Sequence, residues 1–282
     1  MKLDLHTHYY PEAFFKLLRD TPSEFSFDKD PTGRTIITHH GARFFGVTPP
    51  MSDPQKRLED MDRVGIDVEV ISLSTPNIFF ADEHQQPTVA RVLNDAYAEL
   101  ISRHPERFKG FASIPMDAPD AALAELHRAI DELKLNGVIL LSNIKGRALT
   151  APIYRPFFEE ANRMKLCIFL HPMIPVYSEP FREYVLGPLV GFPFDTTLAV
   201  ARMCFDGMLA DLPDNYRTLP VGTRPANPCT ICRPIQALAS HRANLLGIML
   251  PCPDSIGAAS TLRFVRTSPL TTSDADGLGR TS

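Results

Sequence analysis

Between residues 52 and 172 apolar runs and amphipathic runs take turns, and this alternation constrains the fold more than any other feature of the chain. Strands that alternate with helices build a parallel sheet, because a parallel strand can return only through a long crossover over the sheet's face. SDPQKRLEDMDRVG opens on a Ser or Asp cap, carries Leu58 and Met61 at helical spacing and stops at Gly65. VEVISLS (68–74) predicts a buried strand, QPTVARVLNDAYAELISRHPERF a helix from Pro87 to about Arg103, and GFASIPM (110–116) the next strand. DAPDAALAELHRAIDELKLNG follows as a helix with an acidic first turn, ended by Gly137. GVILLSN (137–143) is continuously apolar, as expected of a strand covered on both faces. APIYRPFFEEANRMKL predicts a helix and CIFLHP (167–172) a strand.

KLDLHTH (2–8) supplies the first strand of the set. Leu3 and Leu5 alternate with Lys2, Asp4 and His6, so His6 and His8 leave on one side and their rings can converge. Two neutral imidazoles so placed are half of a divalent-metal site. His171 ends the fifth strand, and if the strands close into a barrel the three histidines share one mouth. The competing readings stay open: a chance His-x-His, and a strand-end histidine bonded to a neighbouring carbonyl. His39 and His40 are expected to face solvent or the mouth without binding metal, while His84 lies in a loop and His104 and His127 on outer helices. Two insertions, 9–50 with a hairpin in GRTIITHHGARFFGV and 173–194 before the helix DTTLAVARMCFDGMLADL, leave from the carboxyl ends of strands, where such folds build their sites.

With 282 residues, 44% of them hydrophobic, the chain is long enough for one large domain. A net charge of -4 with acids and bases interspersed excludes nucleic acid and anionic membrane as main partners. No run approaches the roughly 18–20 apolar residues of a membrane span, and the chain enters its first strand without a basic segment and apolar h-region. A cytoplasmic protein acting on a small molecule is the expectation. Five cysteines argue against a disulfide framework, and the CTIC pair (Cys229, Cys232) lacks the partners that would complete a zinc or redox motif.

The chain from Met1 to about Asp214 resembles the amidohydrolase-related (amidohydrolase 2) family of metal-dependent (β/α)8 TIM barrels, and within it the aminocarboxymuconate-semialdehyde decarboxylase-like group. The resemblance rests on KLDLHTHYYPEAF, MSDPQKRLEDMDRVGID, RHPERFKGFASIPMDAPDAALAEL, CIFLHP and LVGFPFDTTLAVARMCFDGML, which match in order and spacing. It implies that His6, His8 and His171 are metal ligands, that the ion is zinc with manganese as the other choice, and that the chain is a carboxy-lyase or hydrolase acting on a small carboxylated acid. It also implies that a homodimer is open to it.

Three departures qualify that expectation. Where the family has a strand-six histidine this chain reads LPDNYRTLPVGTRPANP, and no later segment resembles the strand-eight Asp motif; Asp254, Asp274 and Asp276 lack its context. A general acid/base and a carboxylate ligand are therefore absent, and the catalytic residues stay unassigned. From residue 215 to 282 there is no Lys and no Glu, so a barrel over 1–214, incomplete at its C-terminus, and a tail over 215–282 that is out of frame or disordered are expected. The family's substrate-clamping basic residue falls at Phe45, with Arg43 two residues earlier, which points to a different aromatic or unsaturated acid. Arg43, Met173, Tyr184 and Phe192 are the candidate pocket residues. A catalytically inactive truncated barrel is the alternative.

Overall fold

The computed structural model describes residues 1–40, 42–181, 183–184, 186–212 and 218–220. Strand β1 (Leu3–His8) leads into an excursion holding helix α1 (Glu12–Asp20) and the antiparallel strands β2 (Phe25–Lys29), β3 (Thr35–His39) and β4 (Ala42–Gly46). Helix α2 (Pro54–Val64), β5 (Val68–Ser72), α3 (Gln86–Arg103), β6 (Phe108–Gly110), β7 (Ala112–Ser113) and α4 (Pro119–His127) follow. Next come β8 (Val138–Leu141), a short hairpin of β9 (Asn143–Ile144) and β10 (Arg147–Ala148), α5 (Arg155–Arg163) and β11 (Ile168–His171). Helices α6 (Phe192–Phe205) and α7 (Met208–Asp211) precede β12 (Thr218–Pro220).

Strands pair in parallel as β1-β5-β6 and as β7-β8-β11-β12, so neighbours in the wall are neighbours in sequence. Because β6 and β7 are two halves of one stave, parted at Phe111, the described wall has six staves. This is the winding of a (β/α) barrel. Its interior is packed by Leu3, Leu5, Val70, Phe111, Ile139, Cys167 and Phe169. Residues one position along, Ile71, Ala112, Leu140 and Leu170, belong to the large outer core beneath the helices. The period of two along each strand thus divides the apolar residues between the two sides.

Local chemistry explains the helix boundaries. Asp53 caps α2 by accepting from the amides of Gln55 and Lys56 at 2.9 and 3.3 Å, Pro54 fills the first position, and Gly65 closes the helix at φ 69°. Inside the wall Arg57 of α2, 5% exposed, holds Glu69 of β5 at 2.6 Å and Thr7 Oγ1 at 2.5 Å, and donates to the carbonyls of Pro50 and His8. A buried cation thereby makes four hydrogen bonds directly beneath the end of β1.

Several expectations shift. The third strand starts at Phe108 rather than Gly110. The helix expected to end at Gly137 finishes as a π-turn over Arg128–Glu132. Gly137 instead begins β8's approach to β11, where a Cβ would lie 2.4 Å from the Cys167 carbonyl oxygen. Helix α1 was not anticipated. A strand at 218–220, in the segment expected to be tail, pairs with β11 at Ile168, Phe169 and Leu170. The strand-like runs IQALA and LLGIML, together with Cys229, Cys232, Asp254, Asp274 and Asp276, lie outside the described residues. Among the described residues no helix is long and apolar enough to cross a membrane. Helix α6 leaves Phe194, Leu198 and Phe205 exposed, the last at 71%, and successive turns of 100° per residue bring the three within about 40° of one another.

Candidate metal centre

A β-bulge places the first two histidines. In the pairing of β1 with β5, Asp4 stands opposite Glu69 and Thr7 opposite Ile71, so Leu5 and His6 together face the single Val70. Strict alternation would turn His6 and His8 away from the side taken by Leu3 and Leu5. The extra residue changes the parity, so the leucines fill the barrel interior and the histidines close it at the carboxyl end. His171, at the end of β11 and 4% exposed, arrives from the other run of staves.

The three rings meet. His8 Nε2 lies 3.0 Å from His6 Nε2 and 3.0 Å from His171 Nε2, and the ring centroids of His6 and His171 are 5.3 Å apart. Nitrogens bound to one cation at ~2.0–2.1 Å stand about 2.9–3.4 Å apart, depending on the angle between the bonds. Both Nε2 separations from His8 fall in that interval, and the ligand atoms of all three rings lie within 4.8 Å of one another.

Protons on the far side of each ring decide what those nitrogens can do. His171 Nδ1 is 2.8 Å from the Pro172 carbonyl oxygen, which only accepts, so Nδ1 carries the proton and Nε2 a lone pair. Ser72 Oγ donates to the Thr7 carbonyl at 3.2 Å and therefore accepts from His8 Nδ1 at 3.1 Å, which leaves His8 Nε2 a lone pair as well. Two lone pairs facing each other at 3.0 Å repel, and a cation between them turns that repulsion into two bonds. Backbone and serine partners of this kind are the outer contacts that orient histidines in metal sites generally. Burial also keeps the rings neutral: His171 is pushed down to about 3, His8 is held well below its ordinary value by burial and by the other two rings, and His6 is lowered by burial against the opposing pull of Asp4. The residues present fit a divalent ion.

A family model described as amidohydrolase matches residues 3–221. The chain belongs to the amidohydrolase family. Within the family it is similar to the 2-amino-3-carboxymuconate-6-semialdehyde decarboxylase of Dictyostelium discoideum, with 32% identity over 218 residues that make up 76% of this chain and 60% of that protein. Among solved structures it resembles the IDCase of Metarhizium anisopliae in its apo form, at a TM-score of 0.69 and 27% identity over 76% of this chain and 63% of that one. It also resembles the dihydroxybenzoic acid decarboxylase of Polaromonas sp. JS666 with bound manganese and 2-nitroresorcinol, at a TM-score of 0.57 and 27% identity over the same shares. This amidohydrolase chain thus spans about three fifths of the length of such relatives, and its fold is that of the family's TIM barrel.

The remaining candidates fall in different places. Met173, two residues past His171, lines a cleft of about 510 Å³ at the carboxyl ends of the staves, together with Phe25, His39, Phe79, Phe80, Asn143 and Lys145. Tyr184 is 83% exposed and Phe192 opens α6; neither lines that cleft. Arg43 is placed by its backbone on β4 opposite Thr38, and its side chain lies outside what is described. Phe45, at the family's clamp position, packs its ring 5.4 Å from that of Tyr10.

Sequence reasoning passed over Ser72, although a serine in a buried apolar run is a signal of a specific acceptor. It also passed over Asp195. That carboxylate of α6, raised by burial against its hydrogen bonds, accepts from Ser142 Oγ and, at 2.9 Å, from Asn143 Nδ2. Ser142 in turn accepts from the Met173 amide at 2.8 Å and donates its own amide to the His171 carbonyl at 2.8 Å, so α6 braces the strand end that carries the third histidine.

Proposed function

We propose that His6, His8 and His171 hold a divalent cation and that the centre serves decarboxylation of a small carboxylated aromatic or unsaturated acid. The observation that carries this reading is the convergence of the three Nε2 atoms, 3.0 Å apart at His6–His8 and at His8–His171, at the carboxyl end of the barrel wall. Relatives named as decarboxylases of aromatic and muconate acids support decarboxylation over hydrolysis. Zinc is the ion we assign, since three imidazoles and no described carboxylate at the site suit a borderline cation; the Polaromonas relative's manganese makes that ion the competitor.

A bound divalent ion supplies Lewis-acid polarisation of a carboxylate or carbonyl oxygen and lowers the pKa of bound water. The chain's own residues orient and enclose. Pro172 and Ser72 fix two rings by their Nδ1 protons, and Ser74 Oγ sits 3.4 Å from His171 Nε2 as a hydroxyl at the mouth. Phe79, Phe80, Met173 and Ile174 offer an apolar bed for a ring, with Lys145 as the cationic member of the cleft. Met173 enters the proposal as cleft wall and Arg43 only through its place in the insertion; Tyr184 and Phe192 have no part in it.

A second reading is favoured by one feature: β12 ends at Pro220, and the sequence that follows, VGTRPANP, has no histidine to deliver a proton. On that reading the chain holds the ion without turnover. Metal analysis of the purified full chain and of His171→Ala, alongside CO2 release from 2,6-dihydroxybenzoate and from aminocarboxymuconate semialdehyde, tests both. One equivalent that His171→Ala removes, with CO2 release, supports the first reading; the same equivalent with no CO2 supports the second. A wild-type chain with no such equivalent overturns the centre itself.

A further inference from the structure

Outside the barrel mouth, the register of the insertion's antiparallel sheet brings a second set of ligand types together. Phe25 of β2 faces His39 of β3, and the His40 amide donates to the Glu24 carbonyl at 2.9 Å, so residues 24 and 40 meet at the pair beyond the last rung. Phe25 stacks on His39 with centroids 4.5 Å apart and planes at 26°, which fixes that imidazole. The His40 ring lies 4.3 Å from it. Both Nε2 atoms sit 3.5 Å from one oxygen, Glu24 Oε2, and the three ligand atoms lie within 4.8 Å of one another.

We propose that Glu24, His39 and His40 form a second divalent-cation site, of the two-histidine, one-carboxylate type, on the rim of the 510 Å³ cleft that Glu24 and His39 help to line. The separations are long for hydrogen bonds yet close to the edge of a coordination tetrahedron, about 3.3–3.4 Å for bonds of ~2.0–2.1 Å. One carboxylate and two imidazoles leave the ion a net positive charge and at least one position for water, as befits a set in which Glu24 and His40 are exposed. The donors suit zinc, cobalt or nickel rather than calcium or magnesium, which take oxygen ligands. The proposal departs from the expectation that His39 and His40 face solvent or the mouth without binding metal, and it shares no residue with the His6, His8 and His171 centre.

Zinc titration of the full chain against a chromophoric chelator tests it, in a Cys229→Ser/Cys232→Ser background so that the CTIC thiols take no ion. Two equivalents are expected in that background, the second weaker. His39→Ala/His40→Ala should abolish the second alone, Glu24→Gln should weaken it at least about tenfold, and His171→Ala should remove only the first. Glu24→Gln changes no backbone contact and carries the test if the double alanine variant fails to fold. The absence of any equivalent that the Glu24 and His39/His40 substitutions weaken or remove overturns the proposal. Failure of the barrel-mouth centre would show separately, as a titration unchanged by His171→Ala.

Discussion

At the residue scale the decisive atoms are those that fix tautomers. Ser72→Ala removes the acceptor for His8 Nδ1 and lets the ring choose the wrong proton, so zinc affinity should fall by roughly 10–100-fold with the fold intact; a chelator competition with Ser72→Thr as the conservative control measures this. The buried His171 also sets a pH dependence. His171 is neutral in the fold down to about 3, whereas an unfolded histidine titrates near 6.5. Above about pH 6.5 neither state binds the proton; below it the unfolded chain does and the folded chain refuses, so metal-free stability falls as pH drops from 6.5 toward 3. Melting temperatures of chelated protein between pH 7 and pH 4 should show that slope, and His171→Gln should flatten it. An identical slope in both proteins would show that groups other than His171, with His8 and His6 among them, control acid unfolding.

At the scale of elements, the buried cation Arg57 ties α2 to the wall through Glu69. Arg57→Ala leaves Glu69 without its partner inside the sheet and should cost about 3–5 kcal/mol in urea denaturation, while Arg57→Met/Glu69→Leu should recover most of it. What could be read in advance follows the same physics. Helices with a cap and a glycine stop, such as α2, and all-apolar strands, such as β8 and β11, were legible because a local pattern determines them. The bulge in β1 was not, since it is defined by a partner strand 65 residues on. Alternation alone put the two histidines together for the right spacing but on the side away from the leucines. Strand β12 escaped because three residues carry no period, and helix α1 because its apolar face, Phe14, Phe15 and Leu18, lay in a stretch read as loop. In the site, the histidines announce themselves; Ser72, Ser142 and Asp195 act through contacts that only the assembled strand ends create.

For the whole molecule, six staves and their helices form the described wall of a family barrel. The stripe of Phe194, Leu198 and Phe205 on α6 runs along one side of it, uncovered among the described residues. Apolar surface of this kind drives association. Leu198→Lys/Phe205→Glu should raise the fraction recovered as monomer, read by light scattering against concentration, and leave zinc binding at the barrel mouth unchanged. Equal scattering from both proteins would mean that the stripe is covered in solution. Inside a cell the same oily flank would read as unfinished folding, so that triage by chaperones and proteases, more than synthesis, would set how much of this protein accumulates.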